Sequence, residues 1–80
     1  MTDQEILAAV TRIVRDLVGD DTVVLTPETV GADVPNWDSA TYVNFIVAAE
    51  IEFGIKFPLA EIEEYRTFGD IVKGIKALTA

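Results

Sequence analysis

The residues best placed to do chemistry are Asp38 and Ser39, which end a loop rich in helix breakers and begin a predicted helix. Aspartate and serine are both favoured at helix N-caps, so a capping role alone explains the pair. A serine in the first turn also points its hydroxyl toward solvent, at a helix end that favours bound phosphate. The pair therefore predicts either a plain cap or a serine to which another enzyme attaches a phosphate-linked group.

The sequence contains no cysteine and no histidine, which excludes several kinds of chemistry. Nucleophilic catalysis by a Ser–His or Cys–His pair is ruled out, and so is a zinc site of the Cys/His type. The chain also has no imidazole to serve as a base near neutral pH. Because it has no thiol of its own, it can take part in thioester chemistry only if a thiol is attached to it.

Acidic residues are numerous, but their spacing predicts neither a metal site nor a catalytic site. No stretch combines the alternating oxygen ligands, glycine and final glutamate of a calcium-binding loop. Asp20–Asp21 and Glu63–Glu64 are formal candidates for acid–base catalysis, yet adjacent surface carboxylates usually titrate normally. We expect a solvated acidic surface, no metal and no independent enzyme activity.

The composition predicts a single small domain, residues 1–80, with enough apolar residues to fold, because half of the chain is hydrophobic. The net charge of -8 repels nucleic acid and anionic membranes and suits a partner protein with a basic face, although solubility alone also explains it. The start "MTDQEILAAV" does not resemble a signal peptide, and no apolar run reaches membrane-spanning length. We therefore predict a cytoplasmic monomer without integral membrane association.

Apolar residues recur at helical spacing in three segments, and a fourth segment, "LAEIEEY", is long enough only for a short helix. The predicted boundary residues are a Thr2–Glu5 capping box and Gly19 for the first helix, Ser39, Phe53 and Gly54 for the second, and a Thr67–Asp70 capping box for the last. The predicted fold is all-α, a small four-helix bundle with three longer helices, one short helix and a long loop between the first two.

The loop between the first and second helices is unusually long for a small domain, which indicates a functional segment or a hidden turn. "TPETV" predicts such a turn, with Thr26 as its cap and Pro27 at the first helical position. A short strand at "TVVLT" is a competing prediction that ranks lower because it has no obvious partner strand.

The second helix is apolar over much of its circumference, which predicts burial on several sides. Its spacing defines one face from Val43, Ile46, Ala49, Glu50 and Phe53, and sets Phe45, Val47 and Ile51 elsewhere. A larger apolar set either forms the core, which we favour, or also lines a cleft between the helices: Val43, Phe45, Ile46, Val47, Phe57, Ile62, Phe68 and Ile71.

Taken together, "WDSATYVNFIVAAEIEFGIKFP" and "TFGDIV" make the whole chain resemble the acyl carrier proteins. The resemblance implies that Ser39 is the attachment serine for 4′-phosphopantetheine, moved from coenzyme A by a phosphopantetheinyl transferase. Acyl groups would then be carried as thioesters to the enzymes of fatty acid, lipid or polyketide-type biosynthesis. It further implies that Asp38 helps to position the serine or a metal, and that Glu50 and Glu52 face basic partner surfaces. Trp37 would anchor the loop or touch the transferase, and a cleft lined by the larger apolar set would shelter an acyl chain.

The chain departs from the family pattern at three positions of the second helix. Ala40 follows the serine where leucine is common, and Asn44 and Ile51 stand where many fatty-acid carriers have glutamates. We interpret the more apolar helix as that of a specialised carrier with its own partners. The alternative is that Ile51 is only partly buried against the loop.

Two other functions remain open. An aminoacyl, D-alanyl or peptidyl carrier has the same attachment chemistry, because "FPLAEIEEY" is not diagnostic of fatty acyl cargo. An acidic helical module that binds a basic protein non-covalently would need no prosthetic group.

Overall fold

The computed structural model describes residues 1–79, which form four α-helices joined by one long and two short connections. The helices are α1 (Asp3–Val18), α2 (Ser39–Phe53), α3 (Leu59–Glu64) and α4 (Phe68–Thr79), with a 3-10 turn at Gly31–Asp33. Across residues 1–79, extended pairing is limited to a single bridge between Val30 and Thr67. The predicted all-α four-helix bundle is confirmed.

The ends of α1 lie where the sequence predicts them. Thr2 and Glu5 form the capping box, each side chain accepting a hydrogen bond from the other residue's backbone amide, at 3.2 and 2.8 Å. Gly19 adopts a left-handed conformation, φ 68°, and its amide donates to Arg15 O. This conformation is open to glycine because it lacks a Cβ, so the helix ends there.

Helix α4 begins on the long loop as well as on its own capping box. Thr67 and Asp70 exchange the predicted hydrogen bonds, at 3.1 and 3.2 Å. The next two amides donate to loop carbonyls, Phe68 N to Thr29 O at 2.9 Å and Gly69 N to Pro27 O at 3.0 Å. The loop therefore satisfies amides that the first turn of a helix leaves free, and the helix in turn holds the loop.

The long loop has turns but no strand. A turn at Pro27–Glu28 confirms the one predicted in "TPETV", although no helix begins there. The helical turn comes later, at Gly31–Asp33, which the sequence analysis did not predict. The competing strand at "TVVLT" does not form; Val23 and Leu25 are buried instead, and Arg15 Nε donates to Val23 O at 2.7 Å.

The core lies between α1, α2 and α4, with loop residues closing its ends. Its fully buried large side chains are Ile6, Val10, Val14, Phe45, Phe68 and Ile75. Helix α3 contributes no fully buried residue and covers the core through half-buried Ile62. None of the helices described here is long and apolar enough to span a membrane.

The predicted burial of α2 is wrong in two respects. The helix buries one side only, through Phe45, Ile46 and Ala49. Val43, which the spacing groups with Ile46 and Ala49, is 61% exposed, whereas Phe45, which the spacing sets elsewhere, is 0% exposed. Because the helix is apolar nearly all round, residue type does not distinguish its faces, and the positions of α1 and α4 decide which one is buried.

Candidate functional site

Asp38 is the N-cap of α2. Its backbone is extended, and its Oδ1 atom accepts a hydrogen bond from the Thr41 amide at 2.8 Å. This hydrogen bond is the main reason that the pKa of Asp38 lies below its ordinary value of 3.8. The carboxylate is thus ionised and occupied in closing the first turn of the helix.

Ser39 is the first residue of α2 and is exposed. Its hydroxyl makes no hydrogen bond to another residue of the range 1–79, because Asp38 already caps the helix. The sequence does not separate helix capping from attachment of a phosphate-linked group. In the structure Asp38 caps the helix, and the Ser39 hydroxyl is therefore available for chemistry.

The chain reaches Ser39 through a fixed turn. Asn36 has a positive φ of 62°, a conformation that asparagine tolerates better than most residues, and its carbonyl accepts from the Thr41 hydroxyl at 3.3 Å. Trp37 then packs against Tyr42 and against two phenylalanines, Phe45 and Phe68, with ring centroids 5.5–6.2 Å away. The predicted anchoring of the loop by Trp37 is confirmed.

The predicted recognition residues Ala40, Asn44 and Ile51 are all exposed, and their spacing of four and seven places them on one face of α2. Ile51 is 79% exposed, so the alternative that it is partly buried against the loop is wrong. Val47, 49% exposed, lies between Asn44 and Ile51 on the same face. We call Ala40, Val43, Asn44, Val47 and Ile51 the apolar face of α2.

The two predicted recognition glutamates lie to either side of the apolar face and have partners within the chain. Glu50 is half-buried, and its Oε2 atom accepts from the Phe57 amide at 2.9 Å, which fixes the connection to α3. Glu52 pairs with Arg12 Nη2 at 2.9 Å in an exposed salt bridge. Both charged residues of α2 therefore have a partner within the chain.

A cleft of about 170 Å³ lies beside the start of α2. Its walls come from the loop, from α2, from the α3–α4 connection and from the start of α4, and they include Trp37, Tyr42, Tyr65, Phe68 and Ile71. We call it the aromatic cleft. The sequence indicates Phe68 and Ile71 as cleft candidates but not the two tyrosines, whose clustering depends on contacts between segments that are distant in the chain.

The other members of the predicted acyl-cleft set divide between core and surface. Phe45, Ile46 and Phe57 are buried in the core and Ile62 is half-buried against it, as we favoured. Val43 and Val47 are exposed on the apolar face.

Comparison with known proteins agrees with this geometry. The family model described as "Phosphopantetheine attachment site" matches residues 8–75. The meromycolate extension acyl carrier protein of Mycobacterium leprae is 32% identical over 78 residues, 98% of this chain and 68% of that protein. The acyl carrier protein of Acidothermus cellulolyticus is 33% identical over 79 residues, which are 99% of this chain and 94% of that protein.

A solved structure shares the fold. The solution NMR structure of holo acyl carrier protein from Geobacter metallireducens superposes with a TM-score of 0.84 and 38% identity, covering 90% of this chain and 83% of that one. The family model spans most of the chain, and both the relatives and the solved neighbour are acyl carrier proteins. The chain therefore belongs to the acyl carrier protein family, whose members bear a covalently attached phosphopantetheine.

Proposed function

We propose that Ser39 is the residue of this acyl carrier protein that bears 4′-phosphopantetheine. The observation that carries the proposal is the exposed hydroxyl of Ser39 at the first position of α2, which has no hydrogen-bond partner within residues 1–79 because the neighbouring Asp38 caps the helix. The residues fit the group, because the amides at the start of a helix stabilise a phosphate.

The attachment joins Ser39 Oγ to the phosphorus of the phosphopantetheine end of coenzyme A. The phosphoanhydride bond breaks, adenosine 3′,5′-bisphosphate leaves, and the serine proton passes to a base of the transferase, since this chain has no histidine. The attached group supplies the thiol that a chain without cysteine lacks. Asp38 holds the first turn of α2 in place and thereby orients Ser39 toward the incoming enzyme.

The attachment is tested by intact mass after incubation with coenzyme A and a broad-specificity phosphopantetheinyl transferase. We expect the wild type to gain one phosphopantetheine and Ser39→Ala to gain none. Thr41→Val, which removes the neighbouring hydroxyl, is the matched control and should gain the same mass as the wild type. An unmodified wild type with several transferases would refute the carrier function and favour the non-covalent interaction module.

We further propose that partner enzymes contact the apolar face of α2 through their own apolar side chains. Val43, Val47 and Ile51 are 49–79% exposed, whereas Glu50 and Glu52 are held by Phe57 and Arg12. Basic partner residues are better matched by the exposed acidic side chains of α3, Glu61, Glu63 and Glu64.

This partner surface is tested with the transferase reaction at varied carrier concentration. Val47→Ser should raise the KM for the carrier about tenfold with kcat unchanged, because about 1.5 kcal/mol of apolar burial is lost. Glu52→Gln is the control and should leave KM within about twofold, since its carboxylate pairs within the chain. A larger rise in KM for Glu52→Gln than for Val47→Ser, abolished by high salt, would instead favour a basic partner surface against α2.

We also make proposals about enzyme activity, cellular compartment, oligomeric state and cargo. We propose a carrier without enzyme activity of its own, since the chain lacks the histidine and cysteine on which nucleophilic catalysis usually relies. A terminal thiol stays reduced in the cytoplasm, which is the compartment we propose. We propose that residues 1–80 form one domain, which the single cluster of buried side chains within residues 1–79 supports, and that this domain acts as a monomer. Aminoacyl or peptidyl cargo, carried by the same attachment chemistry at Ser39, is the second candidate.

A further inference from the structure

The guanidinium of Arg66 is not engaged by the fold. Arg66 is exposed, and its side chain has neither a salt bridge nor a hydrogen bond to another residue of the range 1–79. The other two arginines are engaged, Arg12 by Glu52 and Arg15 by the Val23 carbonyl. In a chain of net charge -8, Arg66 is therefore a cation that can bind an anion which the fold itself does not supply.

Two contacts hold the segment that carries Arg66 against the segment that carries the proposed attachment serine. Trp37, two residues before the serine, packs on Phe68, two residues after Arg66, with ring centroids 5.5 Å apart. Tyr42, three residues after the serine, donates from its hydroxyl to the carbonyl of Ile62, four residues before Arg66, at 2.7 Å. The serine and the arginine therefore both lie between the two points at which their segments touch.

The backbone of Arg66 is fixed at the edge of the aromatic cleft. Arg66 lines this cleft together with Trp37 and Tyr42, the residues that flank the serine. Its amide donates to Asp70 Oδ2 at 3.0 Å, and the Thr67 amide donates to the same oxygen at 3.2 Å. The Asp70 carboxylate is thus occupied by backbone amides and leaves the guanidinium of Arg66 to other anions.

We propose that the guanidinium of Arg66 binds the phosphate of the phosphopantetheine arm on Ser39 and so positions the arm. The inference rests on the proposed attachment at Ser39, which brings the phosphodiester to this end of α2. The phosphate adds a negative charge beside Asp38, which is itself ionised, so a nearby cation offsets the repulsion between them. A guanidinium also matches two phosphate oxygens with two parallel hydrogen bonds, which restricts the arm at its root.

The contact is tested by NMR on the apo protein and on the same chain loaded from coenzyme A by the broad-specificity transferase, with loading verified by intact mass. The chain has three arginines, so a spectrum of the arginine Nε–Hε groups is simple to assign. We expect loading to shift the Arg66 signal and to leave the Arg12 and Arg15 signals in place. Sodium chloride at about 0.5 M shortens the Debye length to less than about 8 Å and should reduce the shift, because Arg66 is exposed.

Paired variants identify the cation that binds the phosphate. Arg66→Ala should move the ³¹P signal of the attached phosphodiester away from its position in the loaded wild type. Lys73→Ala is the matched control, because Lys73 is also exposed, is in no salt bridge within residues 1–79 and lines a different cleft, against α1. It removes the same charge and should leave the ³¹P signal where it is in the wild type.

The outcomes separate this inference from the proposed function. A chain that gains no mass with any transferase would overturn both. A loaded chain whose Arg66 signal does not shift would overturn the role of Arg66 and leave the attachment at Ser39 standing. Equal changes of the ³¹P signal in Arg66→Ala and Lys73→Ala would also overturn that role, because they would show an effect of total charge and not of a contact.

Discussion

At the scale of single residues, the start of α2 divides two tasks between neighbours. Asp38 accepts the Thr41 amide and closes the first turn, so the Ser39 hydroxyl is left exposed and unbonded within residues 1–79. If serine were the cap, its oxygen would face the helix amides and not the solvent. The neighbouring aspartate therefore keeps the serine accessible.

The capping role of Asp38 predicts a particular pH dependence. Its pKa in the folded state lies below the ordinary value of 3.8, so its contribution to stability is complete above about pH 3.8 and is lost as the pH falls through the folded value. Asp38→Ala should lower the Tm by about 4–8 °C at pH 7, as for loss of a typical cap in a small domain. The Tm difference from wild type, followed by circular dichroism, should shrink below pH 3.8.

Asp38→Asn provides the control, because asparagine caps helices about as well as aspartate but does not ionise. It should keep most of the wild-type Tm at pH 7. A Tm difference between wild type and Asp38→Ala that is constant from pH 7 to pH 2 would contradict the capping carboxylate.

Gly31 is a second residue-scale feature, because it leaves room for the Trp37 ring. A Cβ at this position would lie 2.5 Å from Cδ1 and 2.6 Å from Nε1 of Trp37. Gly31→Ala should displace the ring, shift tryptophan emission and lower the free energy of unfolding by about 1–3 kcal/mol, the usual cost of overpacking. Ala32→Gly, at the exposed neighbouring position, should leave the emission unchanged. An unshifted emission in Gly31→Ala would contradict this packing.

At the scale of the helix, α2 has two apolar sides, one buried and one exposed. Phe45, Ile46 and Ala49 are buried against the bundle, while Val43, Val47 and Ile51 are exposed. Exposed apolar residues in a row are typical of a surface that meets another protein. The same helix therefore holds the core together on one side and exposes on the other, next to Ser39, the apolar face that we propose as a contact surface.

Two substitutions distinguish these sides by stability alone. Phe45→Ala should lower the free energy of unfolding by about 3–5 kcal/mol, because it removes a fully buried ring and leaves a cavity. Val43→Ala should change it by no more than about 0.5 kcal/mol, since the side chain is mostly in solvent. Urea unfolding of both variants measures the difference. Equal losses would mean that Val43 belongs to the core.

At the scale of the whole molecule, charge opposes folding. The net charge is -8, and the two salt bridges found within residues 1–79, Arg12–Glu52 and Lys76–Asp3, are both exposed. Exposed pairs contribute little, whereas repulsion among the excess carboxylates acts over the whole surface.

Salt should therefore stabilise this protein. Raising sodium chloride from about 0.01 M to about 0.5 M shortens the Debye length from about 30 Å to less than 8 Å and screens the repulsion. We expect the Tm in calorimetry to rise over this range at pH 7, and to change little at pH 4, where many carboxylates are protonated. A Tm that falls with salt at pH 7 would show that ion pairs outweigh repulsion.

The sequence by itself determined the helices and the position of the serine. Both capping boxes, Gly19 and Gly54 lie where local patterns predict them, because capping and left-handed glycine depend on residues a few positions apart. The absence of cysteine and histidine limited the chemistry in the same direct way. The family resemblance carried in the segment around Ser39 agreed with the family model that matches residues 8–75.

Only the tertiary structure decided which side of α2 is buried, where its glutamates find partners and how the aromatic cleft forms. Phe45 and Val43 are both apolar, and the choice between them depends on where α1 and α4 pack. Glu52 pairs with Arg12 and Tyr65 joins Trp37 in the cleft only after distant segments come together. The physical reason is that capping and helix periodicity are local, whereas burial, ion pairing and cavities arise from contacts between segments far apart in the chain.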